Sequence, residues 1–454
     1  MKQHSCDTLI IGAGIIGIST AYYLKKLDSD LSIILVEAGQ PMAFTSAQSG
    51  ENYRNWWPHP VMTAFTNHSI DLMETIARET NNRINMNRRG YALATRSRVI
   101  DDLMDALYAG YAESTVSDIR VHDQSFSKTY ENPYNRDWIS APSGVDVLKN
   151  QKLIRSTFPS YAHDIRAVIH IRRGGSISGQ QLGQYMLERF RAAGGQRITG
   201  MVEAIERDDG FKVHFTAQVA EIRAERIVNA AGPFTNKIAA MLGAKLPIKN
   251  ILQQKIAFED VAHTIPRNMP LSIDLDAQTI DWTEEERKLI ADDPELTWLA
   301  DEMPGGIHCR PDGGEGGTWI KMGWAYSEDE ALPIMEPPLF EFFPEIVLRG
   351  AARINPSLKH YYGRLPRSMH HYCGYYTTTE ENWPMIGEME VDGAYIVGAM
   401  SGFGTMAACA AGELCAQRVL GNSLPKYAFE LSPERHKDAG LLAEIHALSS
   451  RGIL

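Results

Sequence analysis

The chain has 454 residues, 44 % hydrophobic and 22 % charged, long enough for at least two structural domains and ordinary for a folded soluble protein. Its formal net charge of −11, with no long basic run, argues against nucleic acid and anionic membrane surfaces as partners. Five cysteines without a CxxC pair argue against a disulfide framework or a zinc site, and the longest apolar stretch, LIIGAGIIGI, is too short and glycine-rich to span a bilayer.

The opening MKQHSCD has no charged segment leading into an apolar one, so no secretory signal is read and a cytoplasmic location is expected. After Asp7 the run LIIGAG predicts a buried parallel strand. Gly12 allows a tight turn out of it, Gly14 lets backbone approach a pyrophosphate, and Gly17 lets the following helix, ISTAYYLKKL, pack on the sheet. That helix starts with small Ser19, Thr20 and Ala21, and its N-terminal amides point at the phosphates. A second strand, LSIILVEA, ends in Glu37 and Ala38, and the acid is placed to accept hydrogen bonds from a ribose hydroxyl. A bare GxGxxG is a weak sign. Here it follows a strand, precedes a helix and has an acid at the right distance, which points to a dinucleotide site.

A loop rich in Ser, Gly, Asn and aromatic residues runs from Thr45 to Pro60, and a helix is expected from about Met62 to Thr80. Residues near 90 to 145 read as mixed and irregular. The segment GQQLGQYMLERFRAAGG predicts an amphipathic helix with a glycine cap. Two short strands around an Asp-Asp-Gly turn follow in MVEAIERDDGFKVHF, which includes Val202. They lead to Arg226-Ile-Val-Asn-Ala-Ala-Gly-Pro233, again a strand ending in a glycine turn. From about Gly243 to Tyr372 the sequence reads as a separate sheet-rich region. Within it, Thr283-Glu-Glu-Glu286 has capping-box spacing and Asp293-Pro294 marks a second helix start. Two short acidic helices between about 276 and 303 are expected, with a lid or a subunit contact as the alternative. The end resumes the dinucleotide fold with Ala394–Gly398, the loop Ser401-Gly-Phe-Gly404 and the helix TMAACAAGELCAQRVLG. The expected fold class is α/β, a Rossmann-like FAD-binding domain (1–90, 148–242 and 376–454) with a sheet-rich α+β substrate domain (91–147 and 243–375).

Four motifs stand together: GAGIIG with Glu37, IVNAAGP at 227–233, TTTEENWPMIG at 377–387, and SGFGTM at 401–406. In combination they resemble, from end to end, the D-amino-acid-oxidase-like superfamily of FAD-dependent oxidoreductases, in its sarcosine oxidase and dimethylglycine dehydrogenase branch. The resemblance implies an extended FAD with substrate over its ring beneath the second domain. It places the adenosine end at Gly12, Gly14, Ile15, Ile16, Gly17, Glu37 and Ala38, and adds Val202, Ala230, Ala231 and Gly232 to the cofactor set. The flavin-ring loop resembles Thr45–Arg54, with Thr45, Ser46, Ser49, Gly50 and Glu51. Gly402, Phe403, Gly404, Thr405 and Met406 fall near the pyrimidine end, where a helix N-terminus stabilises the negative charge that reduction creates.

The segment Thr318-Trp-Ile-Lys-Met-Gly-Trp324 is similar to the strand on which sarcosine oxidases carry an oxygen-activating lysine, and Lys321 falls on that lysine. A cation there would stabilise developing superoxide. Two departures limit the match. The family's glycine-loop lysine falls on Met406, and its covalent flavin-linking cysteine aligns with Gly374, one residue after Cys373. A one-residue shift in a strand turns a side chain to the opposite face, so noncovalent FAD is expected.

Aromatic and basic residues remain for the substrate side: Arg54, Trp56, Trp57, His59, His308, Arg310 and Tyr376, with Arg54 and Tyr376 first among them. His370-His371 lacks further ligand spacing, and no metal site is expected. The function implied is oxidation of a small amine or (N-substituted) amino acid to an imine, with electrons passing to oxygen or another acceptor. The alternatives are an FAD-dependent 2-hydroxy-acid oxidase or dehydrogenase and a non-catalytic flavin-binding assembly protein. Oligomerisation is left open.

Overall fold

A computed structural model describes residues 4–111, 118–124, 130–133, 137–216, 221–314 and 316–449. Two large sheets organise them. In the first, of eight strands, His4–Ile11 runs parallel to Ile222–Asn229 on one side and Ile33–Glu37 on the other, with Gln196–Thr199 beyond. Ile222–Asn229 also pairs in parallel with Ala394–Gly398, which carries antiparallel Met385–Glu388. The expected hairpin forms from Val202–Asp208 and Gly210–Phe215, turning at Gly210 with φ +104°. Ile10 and Leu35 are fully buried on one face of this sheet, and Leu9 and Ile34 on the other. Burial on both faces is why these strands read as unbroken apolar runs.

Helices Ile15–Leu27 and Gly404–Leu420 pack together on one face, close enough that a Cβ on Gly412 would lie 2.3 Å from Ser19 Oγ. The small residues opening the first helix therefore serve helix contact. Helix Pro60–Glu79, capped by His59 Nδ1 accepting from the Val61 N–H at 3.2 Å, and helix Gly179–Ala192 complete this layer.

The second sheet has nine strands in the order His370–Thr378, Lys249–Glu259, Trp319–Gly323, Ile307–Asp312, Leu271–Asp274, Tyr91–Thr95, Ala167–Ile171, Val145–Leu148, Ile119–His122. The stretch 90–145, which reads as irregular, contributes three of these strands and the helix Asp101–Gly110. Tyr91–Thr95 is buried at every position, so it shows no alternation to reveal it. Ala167–Ile171 also belongs here, and the 148–242 segment joins the first sheet only from Gln196. Helix Phe343–Ile354 covers the sheet's outer face with Ile346, Val347 and Ala351 buried against Ile256, Phe258 and Ile320.

The acidic segment packs beneath the same helix. Thr283 and Glu286 form the expected capping box around helix Glu284–Asp292, and Arg349 donates to Asp281 O at 2.5 Å and Glu286 Oε1 at 2.6 Å. The second expected helix is instead a single 3₁₀ turn, Thr297–Ala300. Asp293 does accept from the Glu295 N–H at 2.9 Å as a helix start would, but the Leu299 carbonyl is taken by the Trp282 indole at 2.9 Å rather than by a further turn. Among the described residues, no helix is long and apolar enough to cross a membrane.

Candidate active site

One continuous cleft runs between the sheets, about 790 Å³ including its open mouth, from Gly14, Ile15 and Ile16 to Gly374 and Tyr376. At the first end the glycine turn is sterically fixed. Gly12 has φ +108°, and a Cβ on Gly17 would lie 1.9 Å from Gly12 O. Glu37 Oε2 accepts from the Ala13 N–H at 2.8 Å and Oε1 from Gly39 at 3.0 Å, which pins the acid beside the turn and next to exposed Ala38. Ala230 and Gly232 line the cleft, and Ala231 is tied back by its N–H to Asn229 Oδ1 at 3.3 Å. Val202 is buried at the start of its hairpin strand, two residues after Gly200, whose N–H donates to Glu37 O at 2.8 Å.

The middle is built by two loops that hold each other. Thr45–Gln48 forms a 3₁₀ turn, and Ser46 Oγ accepts from the Ile15 N–H at 3.0 Å. Ser49 Oγ and Thr405 Oγ1 share a 2.8 Å hydrogen bond, and Glu51 Oε1 accepts from the first amide of helix Gly179–Ala192 at 2.8 Å. Gly402, Gly404 and Thr405 line the cleft at the start of helix Gly404–Leu420, which has no side-chain cap. Phe403 packs edge-on against Trp57 at 4.7 Å, and Met406 is buried, its carbonyl accepting from Ser69 Oγ. Ala399, Ser401 and Glu51 hold positive φ of 55°, 45° and 57° around this junction, the backbone strain that functional loops store. The Ser401 N–H donates to Thr377 O at 2.8 Å and keeps its loop against the second sheet.

Two strands of that second sheet line the cleft, and the next two carry their side chains on the same face beside them. Gly374 pairs with Gln253, and Tyr376 with Ile251. A Cβ on Gly374 would meet Gln48 Cβ at 3.1 Å, while neighbouring Cys373 points its Sγ toward Pro337 O at 3.9 Å. Tyr376 packs against Gly402, where a Cβ would come within 2.6 Å of the ring.

Behind them lies an alternating charge network. Arg310 donates to Asp312 Oδ1 at 2.6 Å and to Gly50 O at 2.8 Å, tying the sheet to the 45–54 loop. Lys321 Nζ sits 3.4 Å from Asp312 Oδ2 and 3.8 Å from Glu51 Oε2. Burial and the Arg310 charge lower the Lys321 pKa against the pull of both carboxylates. Burial would raise Asp312, but Arg310 and Lys321 outweigh it and hold its pKa below the usual carboxylate value. His308 is pushed down to about 4 by burial, so its ring is neutral at pH 7, with Nδ1 on Gly306 O at 3.1 Å.

Arg54 stands outside the cleft lining. It is buried, its guanidinium 4.5 Å from the Trp57 ring centroid and 5.6 Å from that of Tyr91, and burial lowers its pKa to about 10. His59 is edge-on to Trp383 at 4.6 Å, and Trp56 is fully buried. Conversely, Tyr375, Met400 and Lys255 line the cleft and carry no motif in the sequence. Lys255 stands out among them: it is 7 % exposed, with Nζ 5.3 Å from the Tyr376 ring centroid. Only its register, opposite Gly323 and Tyr372, could have found it.

The cradle suits an extended dinucleotide. A single cleft joins the glycine turn to the second sheet, and bare backbone at Gly14, Gly50, Gly232, Gly374, Gly402 and Gly404 leaves room along it. No curated protein matches the chain in sequence. In structure it is similar to L-proline dehydrogenase from P. horikoshii, with 17 % identity and a TM-score of 0.70 over 96 % of this chain and 99 % of that one. It is similar also to glycine oxidase from Geobacillus kaustophilus, with 16 % identity and a TM-score of 0.69 over 95 % and 99 %. Iminodiacetate oxidase from Chelativorans sp. gives 16 % identity and a TM-score of 0.66 over 94 % and 98 %. The sequence profile of the DAO family of FAD-dependent oxidoreductases matches residues 7–418, and the chain belongs to that family of FAD-dependent enzymes.

Proposed function

We propose that the enzyme oxidises the C–N bond of a small amine or (N-substituted) amino acid to an imine, with electrons passing to oxygen or another acceptor. The observation that carries this reading is the placement of Tyr376, Lys255 and the neutral His308 on one face of the second sheet, across the cleft from the dinucleotide turn. FAD, when bound, supplies the acceptor for the two electrons and the hydrogen leaving the substrate carbon.

The chain's own residues do the rest. Tyr376, packed against Gly402, walls one side of the cleft and orients a small substrate there, and placement of this kind accounts for much of a rate enhancement. His308 is kept neutral by burial, with Nδ1–H held by Gly306 O. Its Nε2 lone pair is therefore available to accept a hydrogen bond from the N–H of a substrate that binds as the neutral amine, the form that can be oxidised, and so orients the nitrogen. Arg310 positions the 45–54 loop, and Arg54 braces Trp57 from behind. Gly374 offers the cleft no nucleophile and Cys373 faces away, which supports noncovalent FAD.

Anaerobic addition of amines, amino acids and 2-hydroxy acids to the purified yellow protein tests the reading. Bleaching by amines or amino acids is expected. Bleaching by hydroxy acids alone would replace the reaction, and bleaching by none would point to the flavin-binding assembly role. The acid-denatured polypeptide is expected to show no flavin adduct by mass spectrometry.

A further inference from the structure

Two lysines face the same side of the second sheet, and their surroundings differ in kind. Lys321 has Asp312 and Glu51 at 3.4 and 3.8 Å. Lys255 is more deeply buried than an ordinary lysine, at 7 % exposure, yet no carboxylate oxygen among the described residues lies within 4 Å of it. Its neighbours are the Tyr376 ring, the methylene edge of Gly50 and the neutral His308. A Cβ on Gly323 would come 2.9 Å from Lys255 Cγ and 3.0 Å from His308 Nε2, so glycine at 323 is what lets the cation and the neutral base stand side by side. A buried ammonium without a counter-ion is costly and is retained where an anion completes it. The cleft it lines is where that anion arrives.

We infer that Lys255 is the group that receives the substrate's carboxylate, which makes the substrate an amino acid with a free carboxylate rather than a simple amine. This rests on the amine-oxidation reading above. The carboxylate pairs with Lys255 Nζ, the substrate nitrogen lies toward His308 Nε2, and the carbon between them faces the cleft. The cation thus selects the substrate, while Lys321, already neutralised within the protein, is left for another role.

The test uses the FAD-loaded enzyme and two small probes, acetate and its uncharged isostere acetamide, followed by the change in flavin absorbance. Acetate is expected to perturb the wild-type spectrum. Lys255→Met should weaken acetate binding at least tenfold, Lys255→Arg should restore most of it, and acetamide should be indifferent to both. Acetate binding unchanged in Lys255→Met, or absent from the wild type, would overturn the inference. So would a shifted flavin reduction potential in Lys255→Met with acetate affinity intact, because the lysine would then serve the cofactor. Should Lys255→Met lose its FAD, the wild type still decides: an amino acid should reduce the flavin at least a hundredfold more efficiently than its amide, and equal rates would sink the assignment. If nothing in the substrate panel reduces the flavin, the reaction reading fails while the acetate titration still reports on Lys255.

Discussion

The two sheets hold their halves of the cleft by opposite means. The eight-stranded sheet delivers backbone: its contributions are turns at strand ends, Gly12 to Gly17, Ala230 to Gly232 and Gly402 to Gly404, each contiguous in sequence. The nine-stranded sheet delivers side chains from within the four strands at one of its ends, with Lys255, Lys321, His308, Arg310 and Tyr376 brought together by register alone. Where that backbone is tightly packed, as at Gly12, Gly17 and Gly402, no added atom fits. A side-chain site tolerates shape changes and is sensitive to charge.

Gly17→Ala breaks the first half most severely. The added Cβ would fall 1.9 Å from the Gly12 backbone oxygen and 3.2 Å from Ala230 Cβ, neither of which belongs to a flexible side-chain end that could move. The variant is expected to purify without FAD or to fail to fold, as read by visible absorbance and circular dichroism. A yellow, active Gly17→Ala protein would show that the turn has slack the geometry denies.

Lys321→Met tests charge without volume in the second half. Asp312 keeps Arg310 and Glu51 keeps the Gly179 N–H, so folding should survive. If the ammonium assists electron transfer to oxygen, stopped-flow should show reoxidation slowed on the order of a hundredfold, about 2.7 kcal/mol of barrier. Substrate reduction should change much less. Equal reoxidation rates in a competent oxidase would reduce Lys321 to a bridge between Asp312 and Glu51.

This contrast also explains what could be read in advance. The dinucleotide turn, Glu37, the IVNAAGP strand and the SGFG loop are local patterns, and each has a backbone reason that survives without the rest of the chain. Placing Cys373 and Gly374 on opposite faces needed only the two-residue period of a strand. Lys255 was not legible. The stretch QQKIAF has no motif, and the lysine's distance from every described carboxylate emerges only when Gly323, Tyr372 and Tyr376 are set beside it. Arg54 shows the converse: a bidentate cation near the flavin loop suggests anion recognition, and the structure stacks it among Trp56, Trp57 and Tyr91, outside the cleft lining.

Arg54→Met sharpens that last point, keeping the apolar stem and removing the stacked guanidinium. Loss of a desolvated cation–π contact costs about 2 kcal/mol, which denaturant unfolding of the holoenzyme would read. KM for the substrate should change by no more than a few-fold. A large rise in KM with unchanged stability would return anion recognition to Arg54 and weaken the case for Lys255.

The smallest effect concerns the acidic segment, the one part of the second half that is built locally. Thr283 Oγ1 accepts from the Glu286 N–H at 3.2 Å while Glu286 Oε2 accepts from the Thr283 N–H at 2.7 Å, and Glu286 Oε1 also receives Arg349 at 2.6 Å. The cap therefore anchors helix Glu284–Asp292 to helix Phe343–Ile354, on the face of the sheet turned away from the cleft. Thr283→Ala removes the hydroxyl but leaves the Arg349 pair, so about 1 kcal/mol of stability should be lost. FAD content, KM and kcat should be unaffected if the segment is scaffold, since Trp282, Ile290 and Leu299 would still hold it in the core. A several-fold change in KM or kcat at intact FAD occupancy would mean that this segment moves with the substrate, and the lid would have to be reinstated over the packing.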